Sequence, residues 1–269
     1  MARQRMGQHF LASPTWRQRI LETLPRSHDE TWIEIGAGHG EMTQLLAGPG
    51  RRVIAIEADR HLAESLKERL RAEPERWPGV EIVFGDVLKL DLGALAGGRF
   101  RVCGNLPYYI TSPILHHLFT WADRIASIHI VVQWEVAQRI AARPGRRDYG
   151  YLSAVCRFYA QPEIVLRIPP GAFRPPPRVT SALVRMNLPG DRATLAVSDE
   201  KRFLEFVQAC FSQKRKTLRN NLRAIAPDEQ IRFALAAASI RPDARAEQLS
   251  LAQFAALFGS LTTGGPVAP

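Results

Sequence analysis

From about Thr31 to Val132, short apolar runs alternate with helical patterns, and this rhythm restricts the possible folds more than any other feature of the chain. Trp32 to Ile35, Val53 to Glu57, Val80 to Phe84, Arg101 to Gly104 and Ile125 to Val132 read as five strands. Glu41 to Ala47 reads as a helix between the first two. Asp59 can cap the next helix, where Leu62, Leu66 and Leu70 recur at four-residue intervals. Pro113 to Phe119 is a further helical stretch. A β-α-β-α succession lays its strands parallel in one sheet and covers both faces with helices. Beyond it, Gln133 to Ala142 continues as helix, Pro169 to Pro177 is a proline-rich loop, and Ser181 to Met186 alternates like a strand.

Near Leu188-Pro-Gly-Asp-Arg192 the pattern changes. From Glu200 onward only helical periodicity remains: Phe203/Phe206/Val207, Phe211/Leu218/Leu222/Ile225, Ile231 to Ala238 and Leu249 to Phe258. The expected organisation is an α/β domain over residues 1–190, a small helical domain over 191–262 and an unstructured tail over 263–269. With 46% hydrophobic and 23% charged residues the chain can form a core, which excludes global disorder. No apolar run reaches the ~18 residues of a membrane span. The polar, basic start Met1 to Phe10 has no apolar h-region, so a cytoplasmic protein is expected. Cys103, Cys156 and Cys210 are odd in number and about fifty residues apart, which fits buried thiols better than disulfides or a zinc site.

Glu34-Ile-Gly36-Ala-Gly38-His-Gly40 ends a strand and opens a helix. Glycines there let the backbone turn sharply and approach a ligand closely. Glu57 ends the next strand, where an acid accepts hydrogen bonds from ribose hydroxyls in nucleoside-binding α/β folds. The G-x-G-x-G spacing differs from the G-x-G-x-x-G of pyrophosphate binders, which disfavours a NAD dehydrogenase. A cofactor without a diphosphate fits better, and S-adenosylmethionine (SAM) is the obvious one. Asp86, after the third strand, can accept from the amine of the cofactor adenine; alternatively it caps the next segment.

Asn105-Leu106-Pro107-Tyr108 follows the fourth strand. An aromatic amine is a poor nucleophile because its lone pair is delocalised into the ring. The Asn105 side-chain oxygen and a neighbouring backbone carbonyl can accept its two N–H groups, aiming the lone pair at a sulfonium methyl. Proline fixes the backbone and leaves carbonyls without competing local donors. Tyr108 offers a face for an unpaired base. Catalysis would then be orientation plus hydrogen bonding that strengthens in the transition state. The plainer alternative is a rigid turn with a buried tyrosine.

These segments resemble one family closely. Gly7-Gln-His-Phe-Leu11, Glu34-Ile-Gly-Ala-Gly38, Gly85-Asp-Val87, Asn105-Leu-Pro-Tyr-Tyr-Ile-Thr-Ser112, Gln133-Trp-Glu-Val-Ala137, Asp148-Tyr-Gly150, Phe173-Arg-Pro-Pro-Pro177 and Phe211-Ser-Gln-Lys-Arg-Lys-Thr-Leu218 fall in its order. The family is the small-subunit ribosomal RNA adenine N6,N6-dimethyltransferases of the KsgA type. The resemblance implies a Rossmann-like, SAM-dependent methyltransferase domain with a mostly parallel seven-stranded sheet, followed by a small C-terminal α-helical domain. It implies four methyl transfers, two to each of two adjacent adenines near the 3′ end of small-subunit rRNA in a pre-assembled particle, by a monomer. It places cofactor contacts on His9, Leu11, Gly36, Gly38, Glu57, Ala58, Asp86, Val87 and Asn105. It places catalysis on Asn105, Leu106, Pro107 and Tyr108, with Phe173 sandwiching the target base opposite Tyr108. His9 stands where the family usually has Asn; its imidazole can still donate to the cofactor, and its protonation would couple binding to pH. Ala37 replaces a common Pro.

The formal net charge is +10, from 36 Lys+Arg against 26 Asp+Glu. Lys214, Arg215, Lys216, Arg219 and Arg223 follow Ser212 with no acid among them. Phe211, Leu218, Leu222 and Ile225 share one helical face, so the cations would line the others and bind phosphate. A solvated helix surface is the plain alternative. Arg143, Arg146 and Arg147 form a second cluster, in a loop expected to touch RNA near the active site. Two rivals remain. One is a large-subunit adenine methyltransferase of the erythromycin-resistance type, against which Leu106 and Ile110-Thr-Ser112 argue. The other is a non-catalytic RNA-binding assembly factor, against which Glu57, Asp86 and Asn105 argue.

Overall fold

The computed structural model describes residues 9–25, 30–195 and 197–263. Gly7 and Gln8 of the N-terminal motif, and residues 264–269 of the expected tail, lie outside them. The chain divides into two compact units, residues 1–137 with 161–189, and residues 138–160 with 190–269. A single break at 190 does not describe this division. The chain leaves the first unit once for residues 138–160 before leaving it for good at Gly190.

The first unit holds β1 (Phe10–Leu11), α1 (Pro14–Thr23), β2 (Thr31–Ile35), α2 (Glu41–Leu46), β3 (Arg52–Glu57), α3 (Arg60–Ala72) and β4 (Val80–Phe84). It continues through α4 (Leu92–Ala96), β5 (Phe100–Asn105), α5 (Thr111–Phe119), β6 (Ile125–Gln133) and α6 (Trp134–Ala141), whose C-terminal half belongs to the second unit. After α7 (Tyr151–Tyr159) come β7 (Gln161–Ile168), β8 (Phe173–Arg174) and β9 (Ser181–Asn187). The seven-stranded sheet runs β4-β3-β2-β5-β6-β9-β7. Its first five strands are parallel, and β9 pairs antiparallel with both β6 and β7. The five strands read from the sequence are therefore the parallel part of the sheet, and the alternating Ser181 segment is β9.

Burial explains why those strands were apolar throughout rather than alternating. Trp32, Ile33, Val53, Ile54, Val102, Ile128 and Ile130 have no exposed surface. Each large apolar side chain so buried contributes roughly 1.5–3 kcal/mol. Asp59 caps α3 as expected, accepting from the His61 and Leu62 N–H groups at 2.9 and 3.3 Å. Inside the proline-rich loop, β8 pairs antiparallel with β1, Leu11 opposite Phe173.

One row across the sheet is polar. Glu34 of β2 lies opposite Cys103 of β5, which lies opposite His129 of β6, itself opposite Arg185 of β9. Glu34, Cys103 and His129 are all buried. Glu34 Oε2, His129 Nδ1 and Arg185 Nε are buried without a hydrogen-bond partner. All three cysteines are free and buried.

This row sets a pH dependence of stability. Burial pushes the Glu34 carboxyl up to about 8, the Glu41 and Glu57 carboxylates adding to it and the Thr43 hydroxyl opposing. Between pH 4.5 and 8 the folded chain therefore holds a proton that the unfolded chain has released. Stability falls with rising pH there, by about 1.4 kcal/mol per pH unit. Burial, helped by Arg101 and Arg185, lowers His129 from 6.5 to about 4. In that interval the unfolded chain holds the extra proton, and stability rises with pH. The two slopes oppose each other below about pH 6.5 and leave the Glu34 decline above it. The expected Tm thus falls between pH 6.5 and 8, and Glu34→Gln levels the decline. Calorimetry that finds the same decline in both proteins would show another group responsible.

The second unit packs α7, α8 (Glu200–Cys210), α9 (Leu218–Leu222), α10 (Asp228–Ala237) and α11 (Leu251–Thr263) around its own core. Tyr149, Phe158, Phe203, Leu218, Leu222, Ile231, Phe254 and Leu257 are among its fully buried members. Residues 138–160 supply Tyr149 and Phe158 to that core, which is why they group with the helices. The expected tail boundary moves, since α11 continues through Thr263.

Candidate active site

The carboxyl ends of β2, β3, β4 and β5 open on one cavity of about 340 Å³. That is the place where open α/β sheets bind ligands, and the size suits a nucleoside-sized molecule. His9, Gly36, Gly38, Glu57, Ala58, Asp86, Val87, Asn105, Leu106, Pro107 and Tyr108 all line it. Eleven residues named from the sequence, drawn from five separate segments, thus meet at one place.

The glycine loop has the conformation that its composition suggests. Gly36, Gly38 and Gly40 have φ of +76°, +57° and +81°. A Cβ on Gly38 would also lie 2.9 Å from the Phe10 ring, and one on Gly40 would lie 2.5 Å from Leu66 Cδ2. Glu57 holds this loop in place. It is 3% exposed and accepts the Gly38 N–H at 2.8 Å on one oxygen and the Asp59 N–H at 2.9 Å on the other. Each carboxylate oxygen has two acceptor positions, so capacity remains for ribose hydroxyls. Asp86 caps the Leu88 N–H through its Oδ1 at 3.1 Å, and the residue also lines the cavity.

Asn105 ends β5 with its amide oriented by a distant segment. Its Nδ2 donates to the His9 carbonyl at 2.6 Å. The side-chain Oδ1 is therefore the outward acceptor, the orientation that receiving an amine N–H requires. The Pro107 carbonyl accepts from Ile110 N–H at 3.2 Å and from the Thr111 hydroxyl at 3.4 Å. The expectation that proline leaves carbonyls of this turn without competing local donors is thus corrected at Pro107, and Leu106 supplies the neighbouring backbone carbonyl. Tyr108 is half-buried, and its hydroxyl lies 3.0 Å from Ser181 Oγ. Burial raises its pKa, so the phenol stays neutral.

Two named residues fall elsewhere. Phe173 is fully buried in a cluster with Leu11, Ile20, Val131, Ile168 and Leu183. It is not among the residues that line the cavity, because the β1–β8 pairing sets it beside Leu11 and both side chains pack into that cluster. Leu11, 6% exposed, likewise packs in that cluster and not on the cavity. Its neighbour Phe10 lines the cavity instead, 4.5 Å from the His39 ring. Asp59, Arg60 and Tyr109 also line it and were not foreseen as ligand contacts. Asp59 was legible only as a helix cap.

In the second unit the two basic clusters are one surface. The Gly145 N–H donates to the Glu247 carbonyl at 2.8 Å, and Lys214 Nζ donates to the Arg147 carbonyl at 2.6 Å. The stretch from Ser212 to Lys216 is a run of turns and bends, and the helix begins only at Leu218, so the cations do not line one helix. Nor are all of them uncompensated. Lys214 lies 3.9 Å from Glu247, while Arg219 and Arg223 both pair with Asp228. Chiefly the Arg219 hydrogen bonds hold the Asp228 carboxyl down near 2. Arg143, Arg146, Arg147, Arg215 and Lys216 are exposed, and among the described residues none is in an ion pair.

The sequence model for the ribosomal RNA adenine dimethylase family matches residues 1–263. A ribosomal RNA small subunit methyltransferase A of Acidobacterium capsulatum is 45% identical over 260 residues, covering 96% of this chain and 90% of that protein. Its counterpart in Xanthomonas axonopodis pv. citri is 44% identical over 254 residues, covering 94% of each. Among solved structures, the 23S rRNA methyltransferase ErmE is 28% identical at a TM-score of 0.71, covering 94% of this chain and 99% of that one. A dimethyladenosine transferase from Plasmodium falciparum shares the fold at a TM-score of 0.74 and 24% identity, covering 93% and 96%.

Proposed function

We propose, from the premise that this chain belongs to the ribosomal RNA adenine dimethylase family, that it dimethylates N6 of two adjacent adenosines near the 3′ end of small-subunit rRNA. The cofactor is S-adenosylmethionine, and the substrate is rRNA. The observation that carries the reading is the Asn105 amide, held by the His9 carbonyl with its oxygen free at the cavity.

SAM supplies an electrophilic methyl on a positively charged sulfur. The chain's residues orient its partner. Asn105 Oδ1 and the Leu106 carbonyl accept the two amine hydrogens, favouring a pyramidal nitrogen whose lone pair leaves the ring plane. Those hydrogen bonds strengthen as positive charge develops on nitrogen, so they act mostly in the transition state. No side chain is required to remove the proton beforehand, and the neutral phenol of Tyr108 serves as a stacking face. Glu57 and Asp86 meet the ribose and adenine ends of the cofactor.

The small-subunit substrate is favoured over the large-subunit alternative by the relatives. Proteins named for the small subunit are 41–45% identical over 94–96% of the chain, whereas ErmE is 28% identical. Small subunits from a strain without its own enzyme should accept labelled methyl approaching four per particle, mapped to two adjacent adenines. Incorporation only into large-subunit rRNA would establish the rival reading. RNA binding without any transfer would establish the non-catalytic one.

The joined loops of the second unit form the phosphate-binding surface in this reading, and a monomer acts on the pre-assembled particle in the cytoplasm. Arg146, Arg147, Arg215 and Lys216 carry it more than Lys214, Arg219 and Arg223, whose charges are already met by Glu247 and Asp228. Replacing those four by Gln should lower the slope of log affinity against log salt by about 0.7–0.9 per lost phosphate contact. Replacing Arg219 and Arg223 should change the slope less. Equal effects would return the surface to plain solvation.

A further inference from the structure

A cation and an aromatic ring meet at the carboxyl end of the sheet, beside the cavity rather than in it. Trp134 follows β6 and opens α6, and Arg167 is the last residue but one of β7. The Arg167 guanidinium carbon lies over the indole, 4.7 Å from the ring centroid. Neither residue lines the cavity, and methyl transfer itself uses neither. The strand between them, β9, fixes where they stand. Gln133 and Ile168 both lie opposite Ser181, Arg167 lies opposite Ala182, and the Trp134 N–H donates to the Thr180 carbonyl at 2.9 Å. Ser181 is also the residue whose Oγ lies 3.0 Å from the Tyr108 hydroxyl. The pair therefore stands about one or two strand spacings of 4.8 Å from the tyrosine that closes the catalytic turn.

Arg167 is exposed and Trp134 is half-buried. Among the described residues the Arg167 side chain is in no ion pair. Glu163, four residues before it, pairs with Arg185 at 2.7 Å. From there to Asp191 the chain has four arginines and no acid. Resting on the indole restricts a long side chain that would otherwise sample many rotamers, so less freedom is lost when a ligand arrives. Single-stranded RNA bases stack on aromatic rings and on guanidinium planes alike. We propose that Trp134 and Arg167 form a stacking platform for the nucleotide that flanks the target adenine in the rRNA strand. This rests on the reading of the cavity as an adenine N6-methylation site. The indole backs the guanidinium, and the flanking base lies on the solvent side of it. Stacking tolerates any base, because every base has a π face. The same platform thus serves whichever of two adjacent adenines occupies the cavity. Trp134 and Arg167 are positioning residues in this scheme, since neither touches the reacting atoms.

The test uses the full chain and unmethylated small subunits. It measures kcat and KM for the particle, particle affinity over a range of salt, and SAM affinity by calorimetry. Trp134→Ala and Arg167→Lys should each raise KM about five- to tenfold, the size of one stacking contact. Their kcat and SAM dissociation constants should stay within about twofold. Arg167→Lys keeps the charge and loses the plane, so the slope of log affinity against log salt should not change. Trp134→Phe should recover most of the loss. The double variant Trp134→Ala, Arg167→Lys should be little worse than either single one, because one platform is removed once. Thermal melting and retained SAM binding establish that each variant is folded; should Trp134→Ala fail to fold, the two Arg167 variants decide alone. Unchanged KM in Arg167→Lys overturns the platform. If Arg167→Gln then lowers the salt slope, the residue is a phosphate contact instead. A fall in SAM affinity as large as the rise in KM overturns it by making the pair a support of the cofactor site. Wild type that transfers no methyl to adenine overturns the reading of the cavity, a result separate from any effect of these variants on particle binding.

Discussion

Asn105→Ala should lower kcat for methyl transfer by about 10²–10³, the cost of removing one preorganised polar group from a transition state. SAM and particle binding should change far less, since the contact is made chiefly as charge develops on the amine. Asn105→Asp separates the two functions of the side chain. It keeps an acceptor for the amine but sets a carboxylate oxygen against the His9 carbonyl, where Nδ2 now donates at 2.6 Å. It should therefore also fall well below wild type, through misorientation rather than loss of the acceptor. Single-turnover rates with SAM saturating provide the measurement. Wild-type chemistry in Asn105→Ala would remove this residue from the reaction.

The second large effect is on cofactor affinity. Glu57 accepts two backbone N–H groups, Gly38 at 2.8 Å and Asp59 at 2.9 Å, with one oxygen each. Hydrogen bonds to a charged group contribute roughly 1.5–3 kcal/mol apiece, and a stranded buried donor costs about as much again. Glu57→Gln turns an NH2 toward one of those donors. SAM affinity should fall by about 30- to 100-fold, with a lower Tm even without ligand because the glycine loop loses its tether. Calorimetric titration with SAM and S-adenosylhomocysteine checks the first expectation and a thermal melt the second. Intact affinity would mean that Glu57 is a loop support only.

The cofactor half of the site was the most legible in the sequence. A glycine loop, a strand-end acid and a capping aspartate are local devices whose spacing follows from the rise of a strand and the turn into a helix. Gly36, Gly38, Glu57 and Asp86 accordingly line the cavity as expected. The antiparallel strand β7 was not anticipated. Gln161 to Ile168 begins Gln-Pro-Glu, and Ile168 is its one buried residue, so it carries neither a long apolar run nor a clean alternation. Helix α7 was missed for a related reason: Tyr151 to Tyr159 is read correctly only once its apolar face has the core of the second unit to pack on.

The errors cluster where a side chain's environment depends on residues distant in sequence. Phe173 sits beside exposed prolines in the sequence and looks available. It is buried because β1 pairs with β8 and brings Leu11 beside it, in a cluster with Ile20, Val131, Ile168 and Leu183. The run from Lys214 to Arg223 contains no acid, yet Asp228 and Glu247 fold back to meet three of its five cations.

What the sequence determined by itself was the chain of α/β elements, the strand ends that carry the cofactor groups, the identity of the Asn105 segment and the presence of a helical unit. Each rests on periodicity or on a local turn, whose physics extends over a few residues. What only the tertiary structure decided was which way the Asn105 amide points, which ring Arg167 lies over, and which cations remain uncompensated. The Asn105 amide is set by a carbonyl 96 residues away. Hydrogen bonds, ring contacts and ion pairs act over a few ångströms, and only the folded chain brings such partners within that range.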